Sequence, residues 1–170
     1  MTELTQQKQL LSPTLCAKIE EWNKRYPPER KASGVLQALH YAQEDNGGFL
    51  TEELLNGVAD FLEMPRTAVY EVATFYTLYH LKPVGRRVIS VCTNISCMLR
   101  GAEEIVAHLK KRFGIELDET TPDGQFTLCE AECLGACVGA PMFQIGKHYY
   151  ENLTPEKVDQ ILDGMKTSHG

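Results

Sequence analysis

The sequence predicts an α/β chain, α+β taken as a whole, made of an N-terminal helical bundle over residues 1–82 and a mixed strand-and-helix domain over residues 83–170. Three observations predict it. Before residue 80, apolar side chains recur at helical spacing in four separate runs. Lys82-Pro83-Val84-Gly85 then stops that pattern. Beyond it, short β-type runs alternate with amphipathic ones.

Ser12-Pro13 opens the first helix, because proline is tolerated at the first helical position, and Leu15, Ile19, Trp22 and Tyr26 form its apolar face. Pro27-Pro28 ends it. Cys16, beside Leu15, reads as a small buried hydrophobe. A second helix from about residue 31 carries Val35, Leu36, Leu39 and Ala42 and stops at Asn46-Gly47-Gly48. Thr51 caps a third bearing Leu54, Leu55, Val58 and Leu62, and Pro65 starts a fourth bearing Val69, Val72, Ala73 and Tyr76. The segment Phe75-Tyr76-Thr77-Leu78-Tyr79-His80-Leu81 is dense in aromatics; core packing at a domain junction is its ordinary reading, and a docking surface is the other.

The second half reads as strand 86–92, helix about 98–113, strands 125–129, 142–145 and 148–151, and helix 154–165. Pro122-Asp123-Gly124 signals a turn, and Gly146-Lys147 is a two-residue hairpin connection. The last helix has Thr154 as cap, Pro155 as first residue, and Val158, Ile161, Leu162 and Met165 as its buried stripe.

A chain of 170 residues makes one ordinary domain or two small ones. Hydrophobic residues are 43% and charged residues 24%, and no apolar run approaches the ~20 residues of a membrane helix. The net charge of −6, with scattered Lys and Arg, argues against nucleic acid as a partner. Residues Met1 to Lys8 show neither a signal peptide nor a transit pattern, so the expected location is the cytoplasm of a bacterium. In that compartment six cysteines point to metal ligation rather than disulfides.

Four of the six fall in two close pairs, Cys92-x4-Cys97 and Cys133-x3-Cys137. Thiolates are soft ligands, and two such pairs brought together make a four-sulfur cage for iron–sulfur or for zinc. Cys92 ends the apolar run Val88-Ile89-Ser90-Val91, and Cys97 falls near a helix start that Ser96 could cap. Cys129 offers other ways to choose the second pair. A loop from Cys129 to Cys133 would enclose Glu130 and Glu132 beside an already anionic centre, whereas Leu134-Gly135-Ala136 adds no charge, which favours Cys133 and Cys137. Histidines 40, 80, 108, 148 and 169 follow no ligand spacing. No phosphate-binding glycine motif, nucleophile elbow or C-x-x-C redox pair is present, so no catalytic residue is expected.

These cysteine pairs, together with Thr120-Thr121-Pro122-Asp123-Gly124-Gln125-Phe126-Thr127-Leu128, Glu132-Cys133-Leu134-Gly135-Ala136-Cys137 and Glu71-Val72-Ala73-Thr74-Phe75-Tyr76, resemble the small thioredoxin-like 2Fe-2S subunit of bacterial complex I (NADH:quinone oxidoreductase), the NuoE family. The resemblance runs in order over roughly residues 12–165. It implies a thioredoxin-like 2Fe-2S domain over residues 83–170, and one 2Fe-2S cluster rather than zinc, held by Cys92, Cys97, Cys133 and Cys137. It also implies an electron-transfer subunit without activity of its own. Its partner would be a NuoF-like flavoprotein binding NADH and FMN, whose flavin exchanges single electrons with the cluster. It would work at the cytoplasmic side, peripheral to the inner membrane, with other subunits of the peripheral arm. Subunits of NAD-linked hydrogenases and formate dehydrogenases share these motifs, and a zinc-stabilised interaction module without redox role is the alternative of a different class. Thr93, Asn94 and Ser96 could hydrogen-bond sulfur and raise the potential. Unlike plant-type ferredoxins, 35 intervening residues separate the second pair from the first. A bound cluster would staple two loops of a half of about 85 residues, a size that needs such help.

Overall fold

The computed structural model describes residues 11–167 and divides into two compact units, Met1–Pro83 and Val84–Gly170. The segment Met1 to Lys8 and His169 lie outside the described residues.

Among its described residues the first unit holds four α-helices: α1 (Pro13–Asn23), α2 (Val35–Asp45), α3 (Glu52–Leu62) and α4 (Arg66–Phe75). Ser12 Oγ accepts the Leu15 N–H at 3.1 Å, and Thr51 Oγ1 accepts that of Leu54 at 3.3 Å, so both expected caps satisfy donors that a helix start leaves open. Two boundaries differ from those the sequence predicts. The first helix ends before Tyr26, and the region from Pro28 to Gly34 is a 3-10 segment in which Arg30 leaves helical geometry. The α-helix begins only at Val35, after Gly34. An added Cβ at Gly34 would lie 1.8 Å from the Asn23 side-chain oxygen, so that side chain would have to move.

Leu15, Ile19, Leu39, Leu50, Val58 and Val69 form the core of this unit, with Cys16 packed against it. In the aromatic segment after α4 only Tyr79 joins them, at 7% exposure, and its hydroxyl donates to the Leu36 carbonyl at 2.7 Å. Gln43 holds the same segment from both sides of its amide, donating to the Leu78 carbonyl at 3.0 Å and accepting the His80 N–H at 2.7 Å. Phe75, Tyr76, Leu78 and Leu81 are exposed, so core packing accounts for one aromatic of this run and leaves the others on the surface.

The second unit is a five-stranded mixed sheet with helices: β1 (Arg87–Cys92), α5 (Ile95–Leu99), α6 (Ala102–Phe113), β2 (Glu119–Thr120), β3 (Phe126–Ala131), β4 (Phe143–Ile145), β5 (His148–Tyr150) and α7 (Pro155–Thr167). The strand order is β2-β3-β1-β4-β5. β1 and β3 are parallel, joined through the crossover containing α6, and all other pairings are antiparallel. Ile89, Val91, Phe126, Leu128, Phe143 and Ile145 from the strands meet Ile105 and Leu109 of α6 and Val158 and Leu162 of α7 in one core. Arg112 on α6 pairs with Asp159 and Asp163 on α7, and His108 reaches Asp159 at 2.9 Å.

The expected single helix over about 98–113 is two, because Gly101 takes a left-handed conformation (φ 96°) between α5 and α6. The pair β2–β3 adds a two-residue strand absent from the sequence prediction; Glu119 and Thr120 are too few to show a period. The Pro122-Asp123-Gly124 turn and the Gly146-Lys147 hairpin form where expected.

Candidate functional site

β1 and β3 run side by side in the same direction and end together, with Cys92 level with Ala131. The loops that leave them therefore start next to each other at one edge of the sheet, the carboxyl edge where open α/β sheets bind ligands. Cys92 closes β1 and Cys97 lies in α5 directly after the first loop, and the second loop carries Cys133 and Cys137. Hydrogen bonds stitch the two regions together. Thr93 N–H donates to the Ala131 carbonyl at 3.2 Å, and Cys92 N–H to that of Met142 at 3.2 Å. Asn94 Nδ2 donates to the Glu132 carbonyl at 2.8 Å, Arg100 Nε to that of Ala140 at 2.9 Å, and Thr93 Oγ1 to the Glu130 carboxylate.

Cys92 and Cys97 are buried at 3% and 2% exposure in a small cluster with Ala102, Ala140 and Met142, against which Leu134 and Ala136 pack. Cys133 and Cys137 are exposed, the latter at the start of a 3-10 turn, Cys137–Gly139. Gly135 takes φ 74°, so the chain between them turns in a way that favours glycine.

Burial alone would push the Cys92 thiol up. The N–H groups of Asn94 and Leu134 and the thiols of Cys97 and Cys133 all donate to its sulfur, and together they hold it below the ordinary thiol value. Cys97 is pushed up to about 11 by burial, by the bond it gives to Cys92 and by that sulfur's charge, offset by a Met142 backbone hydrogen bond and reinforced by Cys137. Of the two inner thiols, Cys92 is therefore the one whose thiolate the site favours.

Among the described residues, no three His, Cys, Asp or Glu side chains are gathered as a finished metal cage. The thiols are nonetheless in touch with one another, Cys92 with Cys97 and Cys133, and Cys97 with the charge of Cys137. Four cysteine sulfurs with amides aimed at the innermost fit a 2Fe-2S group.

Cys129 lies elsewhere. It sits within β3 opposite Ser90, at 8% exposure, and its thiol is pushed up to about 11 by burial and by the charge and hydrogen bond of Asp118. Cys16 belongs to the helical unit. Two of the histidines pair with carboxylates, His40 with Glu44 and His108 with Asp159.

The polar residues expected to reach sulfur behave differently. Asn94 offers its backbone N–H to Cys92, while its side chain caps α5, accepting the Ile95 N–H at 2.9 Å, and crosses to Glu132. Asn94, not Ser96, is therefore the cap. Asparagine ranks with serine in that role, so the sequence carried this signal two positions earlier. Thr93 spends its hydroxyl on Glu130. The roles of Leu134, Met142 and Arg100 had no sequence signal, because they act through backbone groups or toward them.

The sequence profile described as Thioredoxin-like [2Fe-2S] ferredoxin matches residues 19–166. The chain belongs to that family. It is 50% identical over 147 residues to the NADH-quinone oxidoreductase E-chain of Rickettsia bellii, covering 86% of this chain and 88% of the relative. It is 44% identical over 155 residues to the second such E-chain of Rhizobium meliloti, covering 91% and 90%. Among solved structures, NAD+-reducing [NiFe]-hydrogenase in the H2-reduced state shares the fold with a TM-score of 0.68 at 21% identity, over 81% of this chain and 23% of the hydrogenase chain.

Proposed function

We propose that this chain is an electron-transfer subunit of respiratory NADH:quinone oxidoreductase. It carries one 2Fe-2S cluster on Cys92, Cys97, Cys133 and Cys137 and exchanges single electrons with the FMN of a NADH-oxidising flavoprotein subunit. The observation that carries this reading is the meeting of two cysteine loops at the ends of parallel β1 and β3 in a chain of the thioredoxin-like 2Fe-2S family. Identity of 50% to the quinone oxidoreductase relative of Rickettsia bellii favours that complex over a hydrogenase, for which the likeness is one of fold.

When bound, the cluster supplies a one-electron couple whose charge is spread over iron and sulfur. The protein's own residues do the rest. Cys92 and Cys97, buried beneath Ala102, Ala140 and Met142, form a water-excluded inner wall. The amides of Asn94 and Leu134 offset negative charge at Cys92. Cys133 and Cys137, which are exposed, leave an edge open to a partner, and Ile95, Leu99 and Val138, close to the cysteines in sequence, are exposed apolar side chains. The chain works at the cytoplasmic side, held there through its complex; no described helix is long and apolar enough to cross a membrane.

Anaerobic purification tests the reading. The chain is expected to be red-brown, to hold iron and acid-labile sulfide in equal numbers, to bleach under dithionite, and to co-purify with the flavoprotein when expressed with it. Alone it should oxidise no NADH with ferricyanide as acceptor. A colourless, zinc-loaded protein would overturn the proposal in favour of an interaction module without redox role.

A further inference from the structure

We propose that Asn94 is the positioning residue that sets the spacing between the two cysteine loops, and with it the electronic character and retention of a cluster held there. The inference rests on the reading that Cys92, Cys97, Cys133 and Cys137 hold that cluster.

Three bonds converge on Asn94. Its backbone N–H donates to the Cys92 sulfur, its Oδ1 accepts the Ile95 N–H at 2.9 Å, and its Nδ2 donates to the Glu132 carbonyl at 2.8 Å. Each of these reaches a different part of the site. The first addresses one cysteine directly, and the second fixes the start of the helix carrying Cys97. The third grips the residue immediately before Cys133, in a loop 38 positions away in sequence. The other side-chain ties do less. Thr93 reaches Glu130, which is still in β3, and Arg100 reaches Ala140, beyond Cys137.

The loop it grips is packed through Leu134 and Ala136 but exposed at its cysteines, and the Glu132 carbonyl next to Cys133 is held by Asn94. Cys133 and Cys137 are exposed, and Val138 is fully so. Exposed ligands are fixed in place by hydrogen bonds next to them, and groups that orient ligands in this way are worth about 10- to 100-fold in metal retention when removed. The amide is also the right chemistry. It must accept on one side and donate on the other at once, which aspartate and serine, as an acceptor-only group and a shorter one, cannot do across the same span.

Two variants of the full chain separate the tie from the charge. Asn94→Asp keeps the size and the cap to Ile95 but loses the donor to Glu132 and adds a negative charge. Asn94→Ser keeps a capping oxygen, adds no charge and cannot reach Glu132. Both are expected to load iron and sulfide, to release iron to a chelator about 10-fold faster than the parent or more, and to show shifted g-values in the reduced protein. Asn94→Asp should also lower the midpoint potential. Parent-like iron release and g-values in Asn94→Ser would overturn the inference, because the effect in Asn94→Asp would then be charge alone. Faster release with unchanged g-values in both would also overturn it, as a mere weakening of α5. Failure of the underlying reading looks different: the parent itself would hold no iron and sulfide.

Discussion

Cys92, the last residue of β1, stands level with Ala131, the last residue of β3, and this single register brings the two cysteine loops together. Cys133 follows Ala131 closely in the chain, so a parallel ladder delivers it to Cys92 without any long-range search by the loop itself. The register predicts which cysteines matter. Cys92→Ser, Cys97→Ser, Cys133→Ser and Cys137→Ser should each lose most of the bound iron or change its spectrum strongly. Cys16→Ser and Cys129→Ser should retain both, because Cys16 lies in the helical unit and Cys129 faces Asp118. Iron and sulfide assays with visible spectra decide it: loss of the cluster in Cys129→Ser, with retention in Cys133→Ser or Cys137→Ser, would reverse the assignment.

These thiols are visible in the sequence, but their meeting is not. Apolar runs, caps at Ser12, Thr51 and Thr154 and the hairpin at Gly146-Lys147 are local signals, and the structure realises them within a few residues. Pairing β1 with β3 in parallel is a non-local choice that no local run of residues prints in the sequence. The Gly101 break was hidden because a glycine within a helical pattern is often tolerated, and the apolar stripe of α6 needs no interruption to be read. The cross-loop work of Asn94 and Arg100 was illegible because both act on backbone carbonyls, which every residue has.

Gly85 marks where the chain enters the second unit. Its N–H donates to Thr127 Oγ1 at 2.6 Å, and an added Cβ would lie 2.9 Å from backbone atoms of Phe126. Backbone of a sheet strand does not yield as a side chain does, so Gly85→Ala should destabilise the chain by about 1–3 kcal/mol, the usual cost of overpacking. Urea denaturation would show it as a lower midpoint at unchanged slope. A midpoint equal to the parent's would mean that the approach relaxes freely.

Tyr79 gives the helical unit a pH dependence. Burial pushes its phenol from 10.0 to about 12, and its hydroxyl serves the Leu36 carbonyl. An acid whose pKa is raised by folding is held neutral by the fold, so its contribution is complete below pH 10 and is lost as the pH rises through about 12. Tyr79→Phe should cost about 1 kcal/mol at neutral pH by removing that hydrogen bond. It should also lose less stability than the parent as the pH rises from 10.0 to about 12, since its ring cannot ionise. Denaturation curves at several pH values check both signs, and parallel curves for the two proteins would exclude Tyr79 as the titrating group.

The two units should divide the labour, with cluster binding in Val84–Gly170 and a share of partner docking in the helices. All four candidate ligands lie beyond Gly85, and each unit has a core of its own. The helical unit has no comparable chemistry among its described residues, yet it exposes Phe75 at 77% and Leu78 at 48% on one segment that Gln43 and Tyr79 hold in place. A fragment from residue 84 onward should therefore fold around its cluster and reproduce the spectrum of the whole chain. It should capture the flavoprotein more weakly, because apolar area buried by the helical unit contributes about 25 cal/mol per Å2 and would be missing. Ile95 and Leu99 of α5 and Val138 are exposed and remain in the fragment, so some capture should persist. Pull-down of the flavoprotein by fragment and full chain measures the difference. Equal capture would make the helical unit a structural cover and leave docking to the cluster edge alone.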